Sequence, residues 1–279
     1  GTIMDDGTGD FFYIRKVTGT PEAPGTNSLP ALRNDDRPLA VNSVTVNEGS
    51  PFAVFTVGAK EDQYVQLTLA AGTAGAGVDY TNALEYWNGT QWTAYTAGSF
   101  VQVPSNGVGA ANEAANFLVR LAITNDTTPD NGDTFTLTAS NTGGTSAIGT
   151  GTIKDDGTGQ KWSFTSVNDT GSVTSGPGAS FNDDRPLAVN NVTVNENSPY
   201  AVFTVTGVAN QYVQLALNEG TAKLDANGTP LTDGSEDFGP SLQYFNGTNW
   251  FTYTAGSFVQ IPANSTTLLV RTTIVNDTA

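Results

Sequence analysis

The first half of the chain contains several segments in which apolar and polar residues alternate. Val65, Leu67 and Leu69 are separated by more polar neighbours, and the segments 117–123 and 135–139 continue the same two-residue period. This period is typical of strands that bury one face. No window shows a sustained helical stripe of apolar residues. The pattern therefore predicts an all-β fold.

Turn dipeptides separate the predicted strands. Asn88-Gly89 and Asn246-Gly247 each lie between two aromatic runs, and Asn-Gly is a preferred hairpin turn because both residues tolerate a positive φ. Roughly seven short strands in one stretch of chain are typical of a Greek-key sandwich of immunoglobulin type. We therefore expect tandem immunoglobulin-like Greek-key β-sandwiches.

Several motifs occur twice, in the same order along the chain. Segments 34–39 and 182–187 both read NDDRPL, and segments 97–102 and 255–260 both read AGSFVQ. The sequence DDGTG likewise occurs at two places, starting at Asp5 and at Asp155. Such self-similarity indicates repeated domains.

These motifs set the expected domain boundaries. Residues 1–9 match the closing strand of a copy, residues 10–33 form a connector, and residues 34–156 form one complete copy. Residues 157–181 form a second connector, and residues 182–279 form a second copy that lacks the last two strands of the first. Because unpaired strand edges invite pairing, we expect continuation of the chain or strand donation by a neighbouring molecule.

Composition excludes several classes of function. The chain has 27 acidic and 11 basic residues, a formal charge of −16, which argues against binding nucleic acid or an anionic membrane surface. Cysteine and histidine are absent, so disulfides, thiolate chemistry and the usual general base are not available. Paired carboxylates could serve a glycosidase, but acids duplicated in each copy are typical of a repeat. We therefore expect no enzymatic activity.

Carboxylates lie at the ends of predicted strands in both copies. The candidates are Glu48, Asp79, Asp126, Asp155, Asp156, Asp35 and Asp36 in the first copy and Glu196, Asp237, Asp277, Asp183 and Asp184 in the second. Carboxylates that converge at one pole of a sandwich repel each other unless a hard cation bridges them, and calcium takes six to eight oxygen ligands in flexible geometry. The alternative is that these Asp side chains cap turns.

Four segments of the first copy resemble the Calx-beta family. They are residues 44–49 (VTVNEG), 72–81 (GTAGAGVDYT), 123–126 (ITND) followed by 132–137 (GDTFTL), and 151–156 (GTIKDD). Asn125 and Gly157 stand where the family carries acids. Family members are calcium-binding β-sandwiches found in ion exchangers, integrin tails and giant bacterial surface adhesins. The resemblance implies calcium ligation by Glu48, Asp79, Asp126, Asp155 and Asp156, and by Glu196, Asp237 and Asp277 in the second copy.

Two functional hypotheses follow. The favoured one is a spacer or assembly repeat of a long extracellular bacterial surface protein, such as an adhesin, a fibre or a surface layer. Calcium at the domain poles would stiffen the array, and the partners would be neighbouring repeats, copies of the same protein or surface glycans. The alternative is a carbohydrate-binding module in which Trp87, Trp92 and Trp250 stack on sugar rings, although such aromatics are more often cross-strand pairs and core.

Overall fold

The structure, a computed structural model, describes residues 1–9, 33–104, 114–224 and 236–276. These residues form strands, turns and loops without a helix, so the all-β prediction is confirmed. The chain divides into two compact units, Gly1–Pro177 and Gly178–Ala279. In the part of the chain that is described, no helix has the length and apolar character needed to cross a membrane.

The first unit is built from two sheets. Its strands are β1 (Ala40–Val41), β2 (Val44–Asn47), β3 (Phe52–Lys60), β4 (Tyr64–Ala71), β5 (Glu85–Trp87), β6 (Trp92–Ala94), β7 (Phe100–Gln102), β8 (Ala114–Ala122), β9 (Thr134–Asn141), β10 (Ser146–Lys154), β11 (Gln160–Ser163) and β12 (Ser172–Ser175). One sheet has the order β1-β3-β8-β5-β6 and the other the order β12-β11-β2-β10-β9-β4-β7. Most pairs are antiparallel, whereas β2 runs parallel to both β10 and β11.

The core of the first unit lies between these two sheets, as the alternating pattern predicted. Phe55 of β3 and Phe135 of β9 are fully buried, and their ring centroids lie 5.9 Å apart. Gly151 of β10 lies directly opposite Phe135 in the β9–β10 pair. A Cβ atom at Gly151 would overlap the Phe135 ring. The core of the sandwich therefore depends on a position without a side chain in the closing strand.

The segment predicted as the second connector, residues 157–181, is partly folded into the first unit. Its strands β11 and β12 form an antiparallel hairpin, and β11 joins the larger sheet through the pair Gln160↔Val46. The first unit therefore extends beyond Asp156, the boundary expected from the sequence, and ends at Pro177. The other predicted connector, residues 10–33, lies outside the described residues apart from Arg33.

The second unit has a matching five-stranded sheet. Its strands are β13 (Ala188–Val189), β14 (Tyr200–Thr206), β15 (Tyr212–Gln214), β16 (Gln243–Phe245), β17 (Trp250–Thr252), β18 (Phe258–Gln260) and β19 (Thr267–Thr273). The order β13-β14-β19-β16-β17 corresponds to β1-β3-β8-β5-β6 of the first unit, and β15 pairs with β18 as β4 pairs with β7.

The described residues of the second unit contain no counterparts of β9 and β10. Residues 192–195, which match β2 in sequence, form no strand there. In the first unit the strand partners of β2 are β10 and β11. Val194 is consequently 41% exposed, whereas its counterpart Val46 is fully buried. Burial of the β2 segment thus depends on a closing strand beside it.

Candidate metal centre

Two buried carboxylates meet at one pole of the first unit, where the parallel strands β2 and β10 end together. The register pairs Lys154 with Asn47, so Glu48 and Asp155 follow on adjacent strands. Glu48 is 4% exposed and Asp155 is 1% exposed. A carboxylate oxygen of Glu48 and one of Asp155 lie within 4.8 Å of each other. The sequence predicted both residues as metal ligands, and the structure brings them together.

Hydrogen bonds fix the backbone and side chains of this pair. The Glu48 amide donates to the Lys154 carbonyl at 2.8 Å. Glu48 Oε1 accepts the amide of Asp126 at 2.8 Å, which places a third predicted ligand residue beside the pair. The Asp155 amide donates to Asn131 Oδ1 at 3.2 Å. The pole is therefore preorganised by bonds from three different segments of the chain.

The Asn47 side chain stabilises the backbone at this pole through hydrogen bonds, a role that the sequence did not predict. Its side chain is fully buried, and its Nδ2 donates to the carbonyls of Lys154 at 3.2 Å and Thr158 at 3.0 Å. Its Oδ1 accepts the amide of Gly49 at 3.0 Å. Asn47 thereby joins the end of β2 to the loop after β10. The feature of the sequence that could have indicated this role is the position of Asn47 next to Glu48 in the motif VTVNEG.

A second group of acids lies in the loops of the same unit. Burial raises the pKa of Asp130, and the negative charges of Asp79, Asp133 and Asp126 raise it further. Asp79 is buried, and its Oδ2 accepts the amide of Gly75 at 2.5 Å. Asp130 and Asp133 were absent from the predicted ligand set. The negative charges of these loops therefore act on Asp130, in addition to its burial.

Turn capping, the alternative to metal binding, accounts for part of the acidic set. Asp126 Oδ1 accepts the amide of Thr128 at 2.6 Å, and this bond and the Thr128 hydroxyl lower the pKa of Asp126. Burial opposes ionisation of Asp156, but hydrogen bonds from the Thr158 hydroxyl and amide outweigh it and lower the pKa of Asp156. Asn131 Nδ2 also donates to Asp156 Oδ2 at 3.1 Å. Both residues are therefore committed to local turns.

The first Asp of the pair that opens each copy is bound by an arginine two residues later. Asp35 accepts two bonds from Arg37, at 2.7 Å from Nη2 and 2.9 Å from Nε, and Asp183 pairs with Arg185 at 2.6 Å and 2.7 Å. A bidentate Arg neutralises a carboxylate without a metal ion. The signal in the sequence was the Arg two residues after each Asp. Of the second members of these pairs, Asp36 is exposed and Asp184, in the second unit, is half-buried.

The opening segment of the first copy also contacts the N-terminal segment that matches a closing strand. Asp6 and Asp35 form an isolated antiparallel bridge. The Gly7 amide donates to the Asn34 carbonyl at 2.9 Å, and the Asp36 amide donates to the Asp5 carbonyl at 3.0 Å. The closing and opening motifs therefore meet here through backbone hydrogen bonds.

The remaining predicted ligands belong to the second unit, where the two that are described are exposed. Glu196, the counterpart of Glu48, is exposed. Asp237 is exposed as well, and its Oδ2 accepts the Lys223 amide at 2.6 Å. Asp277 lies outside the described residues.

The aromatic hairpin, predicted as a possible sugar platform, is largely packed against protein in the first unit. Trp92 is only 8% exposed, and its ring meets those of Trp87 and Phe164. Its Nε1 donates to the Asp169 carbonyl at 2.8 Å. In the second unit the corresponding Trp250 is half-buried. The first hairpin therefore presents its Trp92 ring to the β11–β12 segment rather than to solvent.

Comparisons with known proteins give no family for the chain. No family model and no curated protein matches it. Among solved structures, a DUF4466 family protein from Parabacteroides merdae aligns over 85% of this chain and 99% of its own, with 12% identity and a TM-score of 0.28. The secreted serine protease VesC from Vibrio cholerae aligns over 85% of this chain and 45% of its own, with 9% identity and a TM-score of 0.21.

Proposed function

We propose that the chain is a spacer and assembly segment of a long extracellular bacterial surface protein, with tandem immunoglobulin-like Greek-key sandwiches similar to Calx-beta domains. In this proposal calcium binds at the acidic pole of the sandwich and stiffens it. The observation that carries the proposal is the pairing of buried Glu48 and Asp155 at the end of β2 and β10.

The physical argument for calcium starts from the unfavourable free energy of burying these two carboxylates close together. Two buried carboxylates within 4.8 Å of each other repel, and burial removes the water that would screen them. A divalent cation bound by both carboxylates would reverse the sign of that interaction. The atoms that this pair provides are carboxylate oxygens, which are hard ligands of the kind that calcium prefers. The residues at the pole therefore fit a calcium ion.

The spacer role rests on the similarity of the two units. Their five-stranded sheets have the same strand order, and β14 pairs with β19 in the register that joins β3 to β8. Repeated domains of one type are typical of extended proteins whose length is the useful property. We assign no catalytic activity, because acids repeated in both copies are a property of the repeat. Carbohydrate binding by the hairpin has weaker support, since Trp92 is buried.

Calcium dependence of stability tests the metal part of the proposal. The whole chain is unfolded by heat in excess chelator and in millimolar calcium. We expect a higher melting temperature in calcium, and we expect Glu48→Gln and Asp155→Asn each to abolish the increase. Asp62→Asn serves as the matched control because Asp62 is exposed and is not among the candidate ligands. An equal melting temperature with and without calcium would remove the ion from the proposal.

Location tests the spacer part separately. Antibodies raised against this chain should label intact cells of the source organism, and external protease should remove the label. Labelling that requires permeabilised cells would contradict a surface role whatever the result with calcium.

A further inference from the structure

In the first unit an arginine is enclosed by aromatic rings. Arg120 of β8 is only 7% exposed, and its guanidinium carbon lies 4.0 Å from the Phe52 ring centroid and 4.2 Å from that of Trp92. Its Nε donates to Glu85 at 2.7 Å. A third ring, that of Phe164, lies 4.8 Å from the same carbon. We call the enclosure formed by Phe52, Trp92 and Arg120 the arginine socket.

The third ring comes from the β11–β12 hairpin, which docks on the socket with several specific contacts. Phe164 meets the Phe52 ring edge-on at 5.3 Å and stacks on Trp162. The Trp162 amide donates to Ser50 Oγ at 3.0 Å, and the Asp169 carbonyl accepts from Trp92 Nε1 at 2.8 Å. The hairpin thus supplies both the aromatic cover and the hydrogen bonds that align it.

The second unit contains the same socket on matching strands. Arg271 of β19 lies 3.9 Å from the Tyr200 ring centroid and 4.1 Å from that of Trp250. It pairs with Val202 in the strand register, as Arg120 pairs with Val54. Arg271 Nε donates to Gln243 Oε1 at 2.8 Å, in place of the ion pair with Glu85.

The second unit also contains a counterpart of the serine hydroxyl that aligns the hairpin in the first unit. Ser198 Oγ donates to the Tyr200 carbonyl at 2.8 Å, as Ser50 Oγ donates to the Phe52 carbonyl at 2.8 Å. In the first unit the Ser50 hydroxyl oxygen also accepts the Trp162 amide. Ser198 therefore holds its hydroxyl in the orientation that the first unit uses to receive a hairpin.

Exposure shows that the second socket lacks its cover in the described part of the chain. Val202 is 41% exposed, whereas its counterpart Val54 is 3% exposed. Arg271 and Trp250 are half-buried, whereas Arg120 and Trp92 are buried. Among the described residues of the second unit, no third ring contacts Arg271. The apolar side chains around the half-buried Arg271 guanidinium are thereby left accessible to solvent.

We propose that this face of the second unit is a docking surface for an aromatic β-hairpin of the same type as Gln160–Ser175. The occupant would place one ring over Arg271, where cation–π attraction adds to apolar burial. Its backbone amide would donate to Ser198, and its turn would present a carbonyl to Trp250 Nε1. The filled socket of the first unit is the template for each of these contacts. The inference goes beyond the proposed function and does not require calcium.

A peptide with the sequence of residues 157–177 is the direct probe, added with a fluorescent label to the whole chain in excess chelator. We expect saturable binding of one peptide per chain. Trp250→Ala and Arg271→Met should each weaken binding by about tenfold or more, because each removes a partner of the incoming ring. Phe258→Ala, which truncates an aromatic residue that is 47% exposed on β18, is the matched control and should bind normally.

A second arm lowers the entropic cost of association by tethering the hairpin to the chain. Residues 157–177 are attached after Ala279 through a flexible linker, and hydrogen exchange of the β14 and β17 amides is compared with a version in which the attached tryptophan and phenylalanine are serine. We expect slower exchange only with the aromatic version. Equal exchange in the two versions, or peptide binding that survives Trp250→Ala, overturns the inference.

The same measurements distinguish other occupants. Dimerisation of the chain without peptide that is lost in Trp250→Ala would assign the face to a second copy, and competition by an oligosaccharide would assign it to a glycan. Either result would overturn the hairpin. Because every arm is run in chelator, failure here leaves the calcium proposal untouched, and the reverse also holds.

Discussion

Replacing Phe164 with Ala tests the energetics of the first arginine socket. The substitution removes the ring that lies 4.8 Å from the Arg120 guanidinium and 5.3 Å from the Phe52 ring. It leaves the backbone of the β11–β12 hairpin and its bond to Ser50 in place. Any loss of stability therefore reports on the aromatic cover itself.

The expected loss follows from burial and ring contacts. Truncation of a fully buried Phe costs about 3–5 kcal/mol, and Phe164 is only half-buried. Three ring neighbours and one cation–π contact each contribute up to about 1 kcal/mol, with part of this already counted in the truncation. We therefore expect a loss of about 2 kcal/mol, roughly a 30-fold change in an equilibrium constant.

The loss should be local rather than global. The hairpin joins the larger sheet through the single pair Gln160↔Val46, so it can open while the rest of the sandwich stays folded. Hydrogen exchange of β11 and β12 amides should therefore accelerate about 30-fold, with little change in β3 or β9. Val167→Ala, at a 73% exposed position in the same hairpin, is the control. Unchanged exchange in Phe164→Ala would refute the assignment of the ring as the cover.

Three further predictions concern stability of the first unit. Arg37→Met should cost about 3–5 kcal/mol in urea unfolding, because it leaves Asp35 buried without its bidentate partner, and adding Asp35→Asn should recover much of the loss. Gly151→Ala should cost about 1–3 kcal/mol through overlap with the Phe135 ring, and Phe135→Leu in the same chain should reduce that cost. The pKa of Asp130 is raised above its ordinary value of 3.8, so its contribution to stability is present at low pH and is lost as the pH rises through the folded pKa. In chelator, Asp130→Asn should therefore flatten the fall of melting temperature with rising pH, and an unaltered pH profile would contradict the predicted repulsion.

The sequence predicted most strands because one face of each is buried. Val65 and Leu67 are buried, as their alternation with polar neighbours required. Strands β11 and β12 were assigned only to a connector because they are short and lie in a segment rich in Gly, Ser and Thr, which resembles a linker. Their apolar residues, Trp162 in β11 and Val173 in β12, are too few to establish a period. Tertiary contact with the arginine socket, rather than local preference, therefore accounts for this hairpin.

The residues of the candidate site that lie at strand ends could be predicted from the sequence. The contacts that depend on side chains brought together by the fold were harder to predict. Glu48 and Asp155 converge because β2 and β10 run parallel and end in register, and repeated motifs had pointed to both. The same motifs did not reveal that Asp35 binds Arg37, because a charge pair two residues apart forms only when the backbone turns back on itself. Asp130 was missed because it lies outside the motifs that pointed to the other loop acids.

The contrast between Glu48 and Glu196 connects the acidic pole to completion of the sandwich. Glu48 is buried beside β10, whereas Glu196 is exposed in a unit whose described residues include no such strand. A buried carboxylate pair therefore exists only once the closing strand lies against β2. A cation that binds this pair but not the separated strands stabilises the paired state by mass action. If calcium binds as proposed, its affinity should rise and fall with β2–β10 pairing, so a variant that weakens the closing strand, such as Gly151→Ala, should also bind calcium less tightly although residue 151 is no ligand.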